Sequence, residues 1–281
     1  MRHHFRAAAT AAIIVCLPLA ALAEPTAKEL KKREALLREL EDARSKALSA
    51  IFDVKTYRDE DHGHSGQRNV DELVAQVREV AALVDGLLAG DVQKLAKLKD
   101  AKRDAFLASN SLNAWESAVR QRWLDAKTLE RNEALRRVPR DMPKNAALPT
   151  DAERDQARLT NEYRMLMGKP ALEIDARLVG CARAHSAEMN RLRYFDHESP
   201  VAENKTISDR TAKAGVTGVA VGENIASGYG SANAAFDGWY HSAGHHRNML
   251  DEAYVSIGVG RDGDMWTQNF GGKKPELTDK N

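Results

Sequence analysis

Gly222-Glu223-Asn224-Ile225-Ala226, followed by Trp239-Tyr240-His241-Ser242-Ala243-Gly244-His245-His246-Arg247-Asn248-Met249-Leu250, gathers a carboxylate and three imidazoles into a short span of a 281-residue chain. Upstream, Leu159-Thr160-Asn161-Glu162-Tyr163-Arg164 reads as helix and stops at Gly168-Lys169-Pro170, since proline cannot continue it. Asp175 is a ready N-cap for a second helix that holds Cys181, Ala182, Ala184, His185, Ser186 and Met189 and ends near Tyr194-Phe195. Asp196-His197-Glu198-Ser199-Pro200 comes next. The final segment reads as a hairpin: Val255, Ile257 and Val259 alternate, Asp262-Gly263 supplies the turn, and Met265-Trp266-Thr267-Gln268-Asn269-Phe270-Gly271 returns.

Each of these segments is weak alone, but their order and spacing between Asp155 and Gly271 resemble the CAP domain in its bacterial form. CAP names the superfamily of cysteine-rich secretory proteins, antigen 5 and pathogenesis-related 1 proteins, also called the SCP-like domain. The resemblance implies an α/β/α sandwich, a small antiparallel sheet layered between helices, preceded here by an all-α region. It also implies a shallow cleft lined by two histidines and one or two acids. By position His197, Glu223 and His245 match that set. Where many eukaryotic members have a second acid, three residues after the tryptophan, this chain has Ser242, which joins the cleft. Lipid and sterol binding by relatives implies a lipid-like ligand, with a peptide-like one as the other option. His246 stands where this segment usually has arginine. Asn161, Tyr163, Asn224, Trp239 and Asn248 read as framework, and His185 as a core histidine.

Two imidazoles and a carboxylate are competent ligands for zinc or another divalent cation, with a fourth position left open. His241 lies four residues before His245, so on one helix the two would share a face and could grip the same ion. Catalysis has less support. The zinc-protease pattern H-E-x-x-H is absent, because Ser242 follows His241. Gly228-Tyr229-Gly230-Ser231-Ala232 does not supply G-x-S-x-G. Ser242 beside His245 lacks an orienting acid and an oxyanion hole. The leading expectation is therefore a binding module. The alternatives are a metal-dependent hydrolase of envelope or extracellular material, with Glu223 as general base, and a structural protein acting through its helical half.

The rest of the chain divides by composition. Arg2, His3, His4 and Arg6 precede a nearly continuous apolar run, Ala7 to Leu22, and Ala21-Leu22-Ala23 offers small residues for cleavage. Residues 1–23 thus read as a signal peptide cut near Ala23/Glu24, giving a secreted or periplasmic protein with no transmembrane segment in the mature chain. Cleavage would leave Cys181 alone, hence no intrachain disulfide, and Cys181 reads as a small buried hydrophobe, with an intermolecular bridge as the alternative. From 24 to 138 no proline follows Pro25, and apolar residues such as Leu40, Ala47 and Leu48, then Leu73, Val77 and Val84, recur at helical steps. A loop is expected from Tyr57 to Asn69, a break at Gly90-Asp91, and a further helix from Leu112 to Val138. These coiled-coil-like helices lack sustained heptads, carry no nameable chemistry, and would meet a protein partner of unknown kind. Asp59, Glu60, Asp61, His62 and His64 read as a hydrated loop. Residues 139–153 hold three of the eight prolines and read as a linker, 154–272 as the CAP domain, and 273–281 as a polar tail. A formal net charge of +1, with acids and bases interspersed, leaves no basic face for nucleic acid.

Overall fold

The computed structural model describes residues 27–59, 66–109, 114–135, 144–217, 219 and 221–272. The expected leader, the polar tail, the first prolines of the linker and the stretch Glu60 to His64 lie outside the described residues.

Four helices form the first half: α1 (Ala27–Asp59), α2 (Gly66–Lys97), α3 (Asp100–Ser109) and α4 (Ala114–Ala134). Helix α1 runs past the loop start expected at Tyr57, and α2 begins before Asn69. Tyr57 and Val70 are the reason. Both are buried, in one apolar cluster with Tyr163, Met167, Trp239 and Tyr240 of the second half. Nor does α2 break at Gly90-Asp91. Each glycine costs about 1 kcal/mol relative to alanine, but Leu88 and Leu95 on either side are buried in a cluster with Val119 of α4. Burial of one helix face outweighs local propensity.

The second half contains α5 (Asp151–Leu166), β1 (Glu173–Ile174), α6 (Ala176–Leu192), a 3-10 turn (Ala202–Asn204) and α7 (Ile207–Lys213). It continues with β2 (Val221–Ala226), α8 (Ala232–Tyr240), α9 (Ala243–Leu250), β3 (Ser256–Asp262) and β4 (Met265–Gly271). Thr150 and Glu153 form a capping box that starts α5 inside the stretch read as linker. Asp175 caps α6 as its sequence position suggests, accepting from the Arg177 N–H. The strand order is β1-β3-β4-β2. The three longer strands are antiparallel, whereas β1 joins β3 in parallel, so the sheet is mixed rather than wholly antiparallel.

Alternation along β4 sorts the two layers. Thr267 and Asn269 meet α6: Ser186 Oγ donates to Thr267 Oγ1 at 2.9 Å, and Asn269 Nδ2 reaches Cys181 Sγ at 3.3 Å. Gln268 faces the other layer, where its Nε2 donates to Gln156 Oε1 and Thr160 Oγ1 of α5. Helix α6 lies directly on β3 because Gly258 and Gly260 have no side chain. A Cβ on Gly260 would sit 1.9 Å from the Arg183 backbone nitrogen. Gly260→Ala must push the helix off the sheet, and we expect a loss of at least 1–3 kcal/mol, about the usual overpacking range, read as a lowered urea midpoint. A midpoint equal to the wild type's would contradict this packing.

Helix α4 covers the open edge of β1. Asn132 Nδ2 donates to the Leu172 carbonyl at 3.0 Å, and its Oδ1 accepts from the Ile174 N–H at 2.8 Å. One amide thus takes the place of a neighbouring strand at an edge that would otherwise be free to pair.

Candidate functional site

Edge strand β2 carries the site. Its alternation turns Glu223 toward the α6 layer and Asn224 toward α9. The loop after α6 brings His197 to Glu223. That helix ends at Arg193, whose left-handed conformation (φ 58°) redirects the chain. Glu188 then pins the loop on both sides of His197, accepting from Tyr194 Oη at 2.8 Å, from Ser199 Oγ, and from Asn204 Nδ2 at 2.8 Å.

Glu223 is almost wholly buried, and its carboxylate is fully engaged. Arg210 Nη2 of α7 lies 2.9 Å from Oε1 and 2.7 Å from Oε2, while His197 Nδ1 lies 2.9 Å from Oε1. Burial works against ionisation, but the His197 hydrogen bond and the Arg210 charge together hold the carboxyl below its ordinary range. An ionised carboxylate only accepts, so Nδ1 of His197 carries the proton and Nε2 is left with a lone pair. The His197 side chain is 52% exposed. Arg210 Nη1 also donates to the carbonyls of His197 and Asn204, at 3.0 and 2.9 Å. One guanidinium therefore fixes both the carboxylate and the loop backbone. Nothing in the residues around Arg210 marks it from sequence. Only the capping box Thr206-x-x-Asp209 signals the helix that bears it.

The other expected residues fall into two groups. His245, half-buried on α9, is held toward its neutral form chiefly by burial. His245 thus lies on the face of β2 to which Asn224 turns, and His197 in the loop on the Glu223 face. Ser242 is the N-cap of α9, without a capping hydrogen bond from its side chain. His241 does not share a helix face with His245, because α8 ends at His241 and α9 starts after Ser242. Its ring turns to α2 instead, with Nδ1 donating to the Asp237 carbonyl at 3.0 Å and Nε2 3.5 Å from Asp71. His185 is buried as expected, with Nε2 3.2 Å from the Asp196 carbonyl and 3.8 Å from Glu223.

His246 is fully buried. Its Nδ1 lies 2.7 Å from the Tyr240 carbonyl, which can only accept, so Nδ1 carries the proton. Nε2 then accepts from Tyr163 Oη at 2.8 Å. Burial lowers its pKa to about 4.

The zinc centre suggested by the ligand chemistry of His197, Glu223 and His245 does not fit their arrangement. Among the described residues no group of three or more His, Cys, Asp or Glu side chains is placed to hold a metal ion. Both Glu223 oxygens already accept from Arg210, and Oε1 from His197 as well.

The small sheet with its helical layers agrees with the family that the sequence matches. Residues 157–270 match the family model described as the cysteine-rich secretory protein family, CAP, and this segment of the chain is a CAP domain. The uncharacterized protein YkwD of Bacillus subtilis (strain 168) is 37% identical over 123 residues, 43% of this chain and 47% of that protein. The uncharacterized membrane protein YlbC of the same strain is 36% identical over 123 residues, 44% of this chain and 35% of that protein. The chain thus spans about half or less of the length of these curated relatives. Among solved structures, an extracellular protein containing a SCP domain from Bacillus anthracis str. Ames is 31% identical. The match covers 49% of this chain and 45% of that one, with a TM-score of 0.41. Among the described residues no helix is long and apolar enough to cross a membrane.

Proposed function

We propose that this chain is an exported binding protein whose CAP cleft takes a small polar, peptide-like ligand through His197 and His245, without a resident metal. The observation that carries this reading is the saturation of Glu223 by Arg210 and His197. The carboxylate sets the His197 tautomer and turns Nε2 outward as an acceptor, the arrangement that suits an N–H donor on a ligand. A hydrolase using Glu223 as general base gains nothing from this geometry, since a carboxylate whose two oxygens both accept from Arg210 Nη2 is a poor base. The test is a panel of short peptides titrated into the ¹⁵N-labelled protein. Resonances of His197 and His245 should move saturably, and His197→Ala should abolish the response. Peptides that leave both histidines undisturbed, or that act equally on the variant, would reject the reading.

A second observation favours a lipid-like ligand, but elsewhere. An apolar cavity of about 390 Å³ lies between the α1–α2 hairpin, α4 and α5, lined by Ile51, Val77, Val84, Leu88 and Met165, with Arg122 among its walls. That volume falls in the usual range of small-molecule sites, about 300–1,000 Å³. A co-purifying lipid seen by native mass spectrometry should disappear in Val84→Trp and persist in His197→Ala. The reverse pattern would place it in the histidine cleft.

A further inference from the structure

Helix α9 is held from two sides. On the sheet side, Asn224 Nδ2 donates to the His245 carbonyl at 3.2 Å. Asn248 Nδ2 donates to Asn224 Oδ1 at 2.9 Å and to the Glu223 carbonyl at 3.1 Å. On the opposite side stands the hairpin. Tyr57 Oη donates to the His241 carbonyl at 3.1 Å, and the Tyr57 ring meets His246 edge-on with centroids 5.8 Å apart. Arg247 Nη2 reaches the Arg58 carbonyl at 3.4 Å, and Tyr240 Oη reaches that of Val70 at 3.4 Å. His246 is boxed further by Tyr163 and Tyr240, each with its ring centroid 5.3 Å away. Consecutive residues therefore serve opposite neighbours: His245 the cleft, His246 the hairpin.

The place of these contacts matters as much as their strength. His241 is where α8 ends, and the residue after it caps α9. A hydrogen bond to its carbonyl acts on the joint that sets the direction of α9. Helix α9 is only about two turns long, so a shift at the joint reaches His245 within one turn.

We propose that the α1–α2 hairpin positions the cleft, with Tyr57 as the positioning residue: its bond to the His241 carbonyl and its contact with His246 fix the start of α9, and so the place of His245. The helical half, whose sequence carries no nameable chemistry, thereby becomes part of the site. A partner that engages the hairpin and draws Tyr57 away would be read out at His245. The inference rests on the cleft assigned above as the functional site, but its test needs no ligand.

The experiment compares full chains carrying Tyr57→Phe, Tyr57→Ala and Thr56→Ala with the wild type at pH 7.5. It reads the ¹H–¹⁵N resonances of the His245 imidazole and the Asn224 side-chain amide. Tyr57→Phe, which keeps the ring and loses the hydroxyl, should displace both sets, and Tyr57→Ala should displace them further. Thr56→Ala, on the same helix with its hydroxyl bonded to the Phe52 carbonyl, should leave them in place. Unmoved resonances in Tyr57→Phe alongside a lowered melting temperature would assign Tyr57 to packing alone and overturn the proposal. If Tyr57→Ala does not fold, Tyr57→Phe decides. Because the resonances are read without ligand, a cleft that binds no peptide leaves this result interpretable.

Discussion

Glu223→Ala should lower stability by about 3–5 kcal/mol, the usual cost of removing one partner from a buried ion pair. The expectation follows from what the substitution leaves behind. Arg210 is 6% exposed and would keep its charge with no carboxylate to answer it. Its Nε already lacks a hydrogen-bond partner, so little remains to compensate. The carbonyls of His197 and Asn204 would still accept from Nη1, but neutral acceptors replace only part of a contact between two charges. His197 would lose the group that fixes its tautomer, so its imidazole resonances should move together with the urea midpoint. Glu198→Ala is the control. Its carboxylate is 3.7 Å from Lys205 and both side chains are well exposed, so the change should stay within about 0.5 kcal/mol. Equal midpoints for the two variants would show that Glu223 is not paired as described.

Acid should destabilise the protein well before its carboxylates protonate. The His246 imidazole titrates near its ordinary value in the unfolded chain, about 6.5, and at about 4 when folded. Between those values the unfolded chain takes up a proton that the folded chain refuses. Stability is therefore at its plateau above pH 6.5 and falls as the pH drops toward 4, by about 3 kcal/mol from this group. His185 and His245 are shifted in the same direction, by burial first in each case, and add to the slope in the same window. Glu153 and Glu223 are held below their ordinary range, so the stability they contribute is lost only at lower pH, through their folded values. Unfolding midpoints measured from pH 7.5 to 4.5 should begin to fall near 6.5. A flat profile down to pH 5 would mean that His246 is not held neutral in the tyrosine box.

The legible parts of this chain are those with local causes. The β3–β4 hairpin shows in its alternation and in Asp262-Gly263, and the start of α6 in Asp175; the association of His197 with Glu223 comes only through the family resemblance. What stayed hidden depends on distant partners. Arg210 sits among ordinary helical charges, and only the fold brings it to Glu223. The five-residue run from His241 to His245 looks helical by spacing, yet the joint between α8 and α9 falls inside it. That joint turns His241 toward Asp71 of a helix far away in sequence. His246 looks like one more ligand in a histidine-rich segment until Tyr57, Tyr163 and Tyr240 close around it. The polar stretch after Tyr57 suggests an early end to α1, and burial against the second half overrides it.

The central claim is that Glu223 serves Arg210 and His197 and leaves no three-ligand metal centre in the cleft. The most direct test is the metal content and zinc affinity of the untagged protein, measured beside the His197→Ala/His245→Ala double variant. The expected result is no stoichiometric metal and the same weak zinc uptake in both proteins. Stoichiometric, tightly held zinc in the wild type, lost in the double variant, would contradict the claim and require Glu223 to leave Arg210.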